Sequence, residues 1–258
     1  MAGASRTSAE IDHAKADLIV GERRSDGMVP ALLSIQMAPG FKTYWYMPGD
    51  GGVPPHVMIH DGQAHLHLPA PSRIQDAYGV AVGYDGTLNI PLELDVAPDA
   101  SRVTLDMLVG VCADICIPFI ARLISDIPKS GTMLPRAKFQ LEDAFRALPS
   151  PLQGNALEEL SLRNLAIKGQ LQLVFQIKHA ALAKLNIDGD ADEMDVFAAI
   201  KDDGNFYSKA ADLRLNDDGW IVTIPVISPL SAQDFRGKQV TLLFKSGQYA
   251  AQGTVLLP

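Results

Sequence analysis

Cysteine is nearly absent from this 258-residue sequence, which holds only Cys112 and Cys116. A structural zinc site wants four nitrogen or sulfur ligands, so it would need two of the six histidines, and none lies near the pair in sequence. Basic residues are also scarce. Lys and Arg number 22 against 30 Asp and Glu, a net charge of −8, which argues against a nucleic-acid partner because phosphate binding needs clustered cations. No apolar run reaches the roughly 18–20 residues that span a bilayer; the longest candidates, 171–177 and 220–227, are strand-sized. Residues 1–17 carry charge throughout and lack the apolar core of a secretory signal, so the compartment must be read from elsewhere. Residues 79–86 lack the G-x-G-x-x-G spacing of a dinucleotide site, and there is no Ser/His/Asp triad signature.

What is present is the composition of a globular protein able to bury a core: 47% apolar and 20% charged residues, with 21 Gly and 17 Pro. The length suits two domains of ordinary size. Most of the chain consists of short alternating or apolar runs broken by Gly, Pro, Asn and Asp, which is an all-β rhythm. Predicted strands in the first half are 16–20, 31–37, 56–60, 88–94, 102–111 and 119–125. Turns such as Pro39-Gly40, Asp50-Gly51-Gly52 and Asp85-Gly86 space them. Phe139, Leu141, Ala144, Phe145 and Leu148 then fall at helical spacing over 138–148, and Pro149-Ser150-Pro151 follows. Strands resume at 170–178, 194–201, 209–215, 220–227, 239–245 and 248–257, with Asn216-Asp217-Asp218-Gly219 as a hairpin signal. The expected fold class is all-β: two immunoglobulin-like β-sandwich domains, 1–134 and 152–258, joined by a helical and Pro-rich connector at 135–151.

The cysteine pair is the most informative chemistry. Closing a five-residue loop stabilises by only about 2 kcal/mol, against ~4.7 for a hundred-residue loop, so the pair is poorly placed as a staple. If 106–111 and 117–124 are strands, the three residues between the cysteines form a tight turn that sets the sulfurs across from each other, within disulfide range. Spacing alone leaves three readings open: a redox-active dithiol, a small structural disulfide or pair of inert thiols, and a pair of metal ligands. Asp114 lies in the turn and Asp106 upstream, and no Lys, Arg or His stands between 103 and 121 to favour a thiolate. The thiols are therefore expected not to be strongly acidified, with reactivity switched on when a partner docks.

The run from Pro39 to Pro55, PGFKTYWYMPGDGGVPP, is followed by Tyr78-Gly79, Gly83-Tyr84 and then Val111-Cys112 through Cys116-Ile117-Pro118. Over residues 16–127 this combination resembles the N-terminal periplasmic domain of the DsbD/ScsB thiol:disulfide interchange proteins. It is most like the ScsB branch, which is associated with copper tolerance and has two immunoglobulin-like domains in its soluble N-terminal region. The resemblance implies a redox-active Cys112/Cys116 pair in the periplasm, fed by a membrane-embedded electron donor. It would pass reducing equivalents to disulfides of thioredoxin-like proteins, with no cofactor. By position Cys116 matches the cysteine that attacks the partner, and Cys112 the one that resolves the intermediate. The family's cap loop, which covers the disulfide with an aromatic residue, matches Gln75-Asp76-Ala77-Tyr78-Gly79. Its tip aromatic is replaced here by Ala77, so either Tyr78 shields the sulfurs instead or the site is more open; Asp76, Tyr78 and Asp114 are the expected site neighbours. Tyr44, Trp45 and Tyr46 are candidates for a partner-docking surface. The family's transmembrane and terminal thioredoxin-like domains are not in this sequence, so donor and acceptor are expected in other domains or proteins.

His56, Met58 and His60 alternate, as do His65 and His67, so on strands each set shares a face. Imidazole and thioether suit copper, which makes His56, Met58 and His60 weak metal candidates; a solvated strand face beside Asp61-Gly62-Gln63 is the plainer reading. His13 and His179 stand alone. Residues 188–193 (DGDADE) depart from calcium-loop spacing and read as an acidic turn. The alternative function is a non-catalytic periplasmic binding module, involved in copper handling, whose cysteine pair is structural or metal-ligating.

Overall fold

The computed structural model describes residues 6–49, 51–77, 79–152, 157–167, 169–183, 194–201 and 203–258. The chain divides into two compact units, Met1–Leu148 and Pro149–Pro258. The first contains strands β1 (Arg6–Ile11), β2 (Ala14–Val20), β3 (Val29–Met37), β4 (Lys42–Gly49), β5 (His56–Ile59) and β6 (Gly62–Leu66). It continues with β7 (Ser72–Asp76), β8 (Gly79–Asp85), β9 (Thr87–Val96), β10 (Arg102–Cys112), β11 (Cys116–Asp126) and helix α1 (Pro135–Arg146). One sheet has the order β1-β2-β3-β9-β6; the other has the order β11-β10-β4-β8-β7, with β5 also paired to β10.

The layering follows from side-chain periodicity. Along β10, Val103, Leu105, Met107, Val109 and Val111 are buried, whereas Thr104, Asp106 and Leu108 are partly open. This period of two places one face on a core and the other toward solvent. The second strand and the third behave differently, because 18–20 and 31–33 are continuous buried runs. The reason is α1, whose Leu141 and Ala144, three residues apart on one face, pack on Ile19 and Leu32. That helix begins with Pro135, where a missing N–H has no intrahelical partner to lose, and ends with Arg146 close to the negative end of the helix dipole. The segment ahead of it is tied down by Glu22. Its carboxylate accepts N–H bonds from Gly131 (3.0 Å) and Met133 (2.8 Å) and is held below the usual carboxylate range, chiefly by the Gly131 bond. The helix expected as a connector thus packs within the first unit.

The second unit consists of β12 (Ser150–Pro151), β13 (Leu157–Asn164), β14 (Gln170–Lys178), a short helix α2 (His179–Ala183), β15 (Met194–Ala199) and β16 (Tyr207–Ser208). It ends with β17 (Asp212–Leu215), β18 (Gly219–Ile227), β19 (Gln239–Ser246) and β20 (Tyr249–Leu256). Sheets β12-β20-β19-β15 and β13-β14-β18-β16, the latter with β17 on β18, enclose one core. Phe175 and Ile177 of β14 and Val222 and Ile224 of β18 meet Val196 of β15 and Leu242 and Phe244 of β19 there. The hairpin between β17 and β18 closes through Asn216, whose side-chain oxygen accepts the N–H groups of Asp218 and Gly219. The acidic run 188–193 lies outside the described residues. Among those described, no helix is long and apolar enough to cross a membrane.

Each unit holds one tryptophan, Trp45 and Trp220. In a Trp220→Phe background, urea unfolding followed by Trp45 fluorescence therefore reports the first unit. There Leu141→Ala is expected to cost about 2–4 kcal/mol, whereas a helix that merely links the units would cost less than about 0.5.

Candidate redox site

The tenth and eleventh strands pair without a break from Arg102↔Asp126 to Cys112↔Cys116. Their hairpin closes through Ala113-Asp114-Ile115, with the Ala113 N–H donating to the Ile115 carbonyl at 3.1 Å. The two cysteines therefore stand opposite each other, 4.0 Å apart at Cα, and are joined by a disulfide. Their exposure is unequal. Cys112 is 1% exposed and packs with Tyr44, Ala81 and Ile74, whereas Cys116 is open to solvent. Since exchange needs in-line access to a sulfur, a nucleophile from outside reaches Cys116 Sγ and expels Cys112 as the leaving thiolate.

Strand β4 sets a charged residue opposite Cys112. Lys42 is the ladder partner of Cys112, and its almost fully buried ammonium bonds Asp76 Oδ2 at 2.7 Å. Two residues on, Tyr44 is buried and brings its hydroxyl to 3.6 Å from Cys116 Sγ. Gly52, at φ +133°, crosses the Tyr44 ring so closely that a Cβ would collide with it. Lys42, Tyr44, Gly52, Asp76, Asp114 and Cys116 are among the residues lining a cleft of about 190 Å³. A lysine on the strand position opposite Cys112 is placed to stabilise a thiolate there, and its ion pair with the part-buried Asp76 carboxylate would moderate that effect.

A family model described as "Thiol:disulfide interchange protein DsbD, N-terminal" matches residues 15–128. Over those residues the first unit is similar to the DsbD N-terminal family. Over nearly its full length the chain is similar to the crystal structure of the N-terminal periplasmic domain of ScsB from Proteus mirabilis. The TM-score is 0.71 at 23% identity, with 98% of each chain covered. The architecture is accordingly all-β and immunoglobulin-like. No curated protein matches the chain.

In the first unit, Asp76 and Asp114 both line the cleft with Cys116. Ala77 is exposed in the loop, which Gln75 braces by donating its side-chain amide to the carbonyls of Asp76 and Gly79, 3.1 Å each. Tyr78 lies outside the described residues. The aromatic trio does not form a docking surface. Trp45 is fully buried, Tyr44 shows the cleft little beyond its hydroxyl, and half-buried Tyr46 donates to the Leu66 carbonyl at 3.2 Å. The physical reason is that β4 runs inside its sheet and is covered on both faces. His56, Met58 and His60 are exposed, and His60 Nε2 sits 2.9 Å from Asp106. Arg122 bonds the same carboxylate and, ahead of His60, holds it far below the usual range. Among the described residues, no group of three or more His, Cys, Asp or Glu is placed to hold a metal. Lys42 is the residue that a search for cations near the cysteines along the chain misses, because it arrives from a strand 70 positions away; its signal is the shared Lys42/Tyr44 face of a period-two segment.

With the protein reduced, mass-resolved alkylation of Cys112 at pH 7 is expected to slow about threefold in Lys42→Met and to quicken in Asp76→Asn, half a pKa unit being worth threefold in thiolate. Equal rates in both variants and wild type would remove Lys42 from the chemistry.

Proposed function

We propose that Cys112 and Cys116 cycle between disulfide and dithiol in the periplasm, carrying reducing equivalents from a membrane-bound reductase to disulfides of thioredoxin-like proteins. The observation that carries this reading is the split exposure of a cross-strand disulfide, one cysteine open to solvent and the other buried. A structural staple has no use for an open sulfur, whereas exchange requires one.

In the reduced domain, the Cys116 thiolate attacks a partner disulfide. One partner sulfur bonds to Cys116 Sγ, and the other leaves as a thiolate and takes up a proton. Cys112, as a thiolate beside Lys42, then attacks Cys116 Sγ, the mixed disulfide breaks, and the partner departs with its second thiol. Two electrons and two protons pass to the partner, and the Cys112–Cys116 bond is restored. Reloading runs the same steps backwards, with a donor dithiol attacking Cys116. Lys42 serves both directions because Cys112 is the thiolate in each. The activity is that of a protein-disulfide reductase.

Reduced Cys112→Ser mixed with an oxidised thioredoxin-like protein is expected to accumulate a mixed disulfide through Cys116 that dithiothreitol dissolves. Cys116→Ser is expected to accumulate at least about tenfold less, since its remaining thiol is buried. Equal trapping by the two variants, or none by either, would contradict the proposal.

A further inference from the structure

The register that pairs the cysteines also determines which side chains surround the open sulfur. Cys116, Pro118, Ile120, Arg122 and Ile124 alternate on the outward face of β11, and opposite them on β10 stand Cys112, Gly110, Leu108, Asp106 and Thr104. The inward-facing residues include Val109, Val111, Phe119 and Leu123, all buried. Among the exposed large apolar side chains of the first unit, Ile115 and Ile120 (each 72% exposed), Met58, Ile124 and Val53 lie on this face or at its edge; the other two, Leu134 and Phe139, belong to the α1 region. Val53 reaches the face because Gly110 has no side chain: a Cβ there would come within 3.2 Å of Val53 Cβ. No charged residue occurs from Ile115 to Ala121, and the first charge along the face, Arg122, is engaged by Asp106.

We infer that the outward face of β10 and β11 next to Cys116, formed by Ile115, Val53, Pro118, Leu108 and Ile120, is the surface on which a thioredoxin-fold partner seats an uncharged, apolar surface around its reactive cysteine. This rests on the function proposed above. The argument for that occupant is covalent. A mixed disulfide holds the partner's cysteine Cα within about 7 Å of that of Cys116, so the partner must cover whatever immediately surrounds Cys116. A standard interface takes about 800 Å² of each protein, a disc of about 16 Å radius. At about 3.4 Å per residue, Ile120 lies ~14 Å along the strand, inside the disc, whereas Ile124 lies ~27 Å along it, outside. The cleft with Lys42, Asp76 and Asp114 borders Cys116 as well, so polar and apolar contacts are both available around one sulfur. A contiguous exposed apolar patch of this kind marks an interaction surface.

The test is the second-order rate at which reduced thioredoxin reduces the Cys112–Cys116 disulfide of the 258-residue protein, read by acid quench and thiol labelling. Ile120→Ser is expected to slow exchange about tenfold, Ile120→Leu to restore it, and Ile124→Ser to stay within about twofold of wild type. All three should react with dithiothreitol at the wild-type rate, since that reagent needs the sulfur but not the surface. If Ile120→Ser matches wild type, or Ile124→Ser slows as much as Ile120→Ser, the docking face is wrong while the exchange function stands. If the wild type itself cycles with dithiothreitol but never exchanges with thioredoxin, the proposed function fails, and the docking face with it.

Discussion

Everything at this site depends on one antiparallel ladder. Eleven consecutive residue pairs join β10 to β11, and the last of them is Cys112↔Cys116. Because side chains alternate with a period of two, slipping β11 by one residue against β10 would send the sulfurs to opposite faces and turn Phe119 out of the core. The apolar alternation that buries Val103, Leu105, Met107 and Val109 is therefore the same constraint that holds the sulfurs together. In this domain, packing energy positions the redox pair. The short loop between the cysteines contributes little entropy of its own, about 2 kcal/mol.

Around that ladder, access and charge are divided between two strands. β11 presents Cys116 to solvent, while β10 tucks Cys112 against Tyr44 and Ala81. β4, remote in sequence, adds Lys42 as the ladder partner of the buried cysteine, paired with its counter-charge, Asp76. With Asp114 also at the cleft, the local charges are Lys42 against two carboxylates.

Much of this was legible in the residues. The strands with clean periodicity, such as 88–94, 102–111, 170–178 and 220–227, emerge within a few residues of their observed limits because burial on one or both faces leaves a strong pattern. The short strands β6, β7 and β8 are not visible in that way: they are polar or glycine-bearing and owe their existence to pairing with β9, β8 and β4. The helix was readable from spacing, but its seat on Ile19 and Leu32 was not, since a connector and a docked helix show the same apolar stripe. Tyr44, Trp45 and Tyr46 look like a surface trio because aromatics serve interfaces and cores equally well; only the interior place of β4 decides between them. The cysteine hairpin could be drawn from sequence alone, whereas Lys42 and the apolar face around Ile120 required the register.

The central claim, that Cys112–Cys116 is an exchanging couple and not a staple, is tested most directly by its reduction potential, measured by equilibration with glutathione or dithiothreitol buffers. The account predicts a value in the range of exchange proteins, about −120 to −270 mV. A value below about −300 mV, where structural disulfides lie, would contradict it.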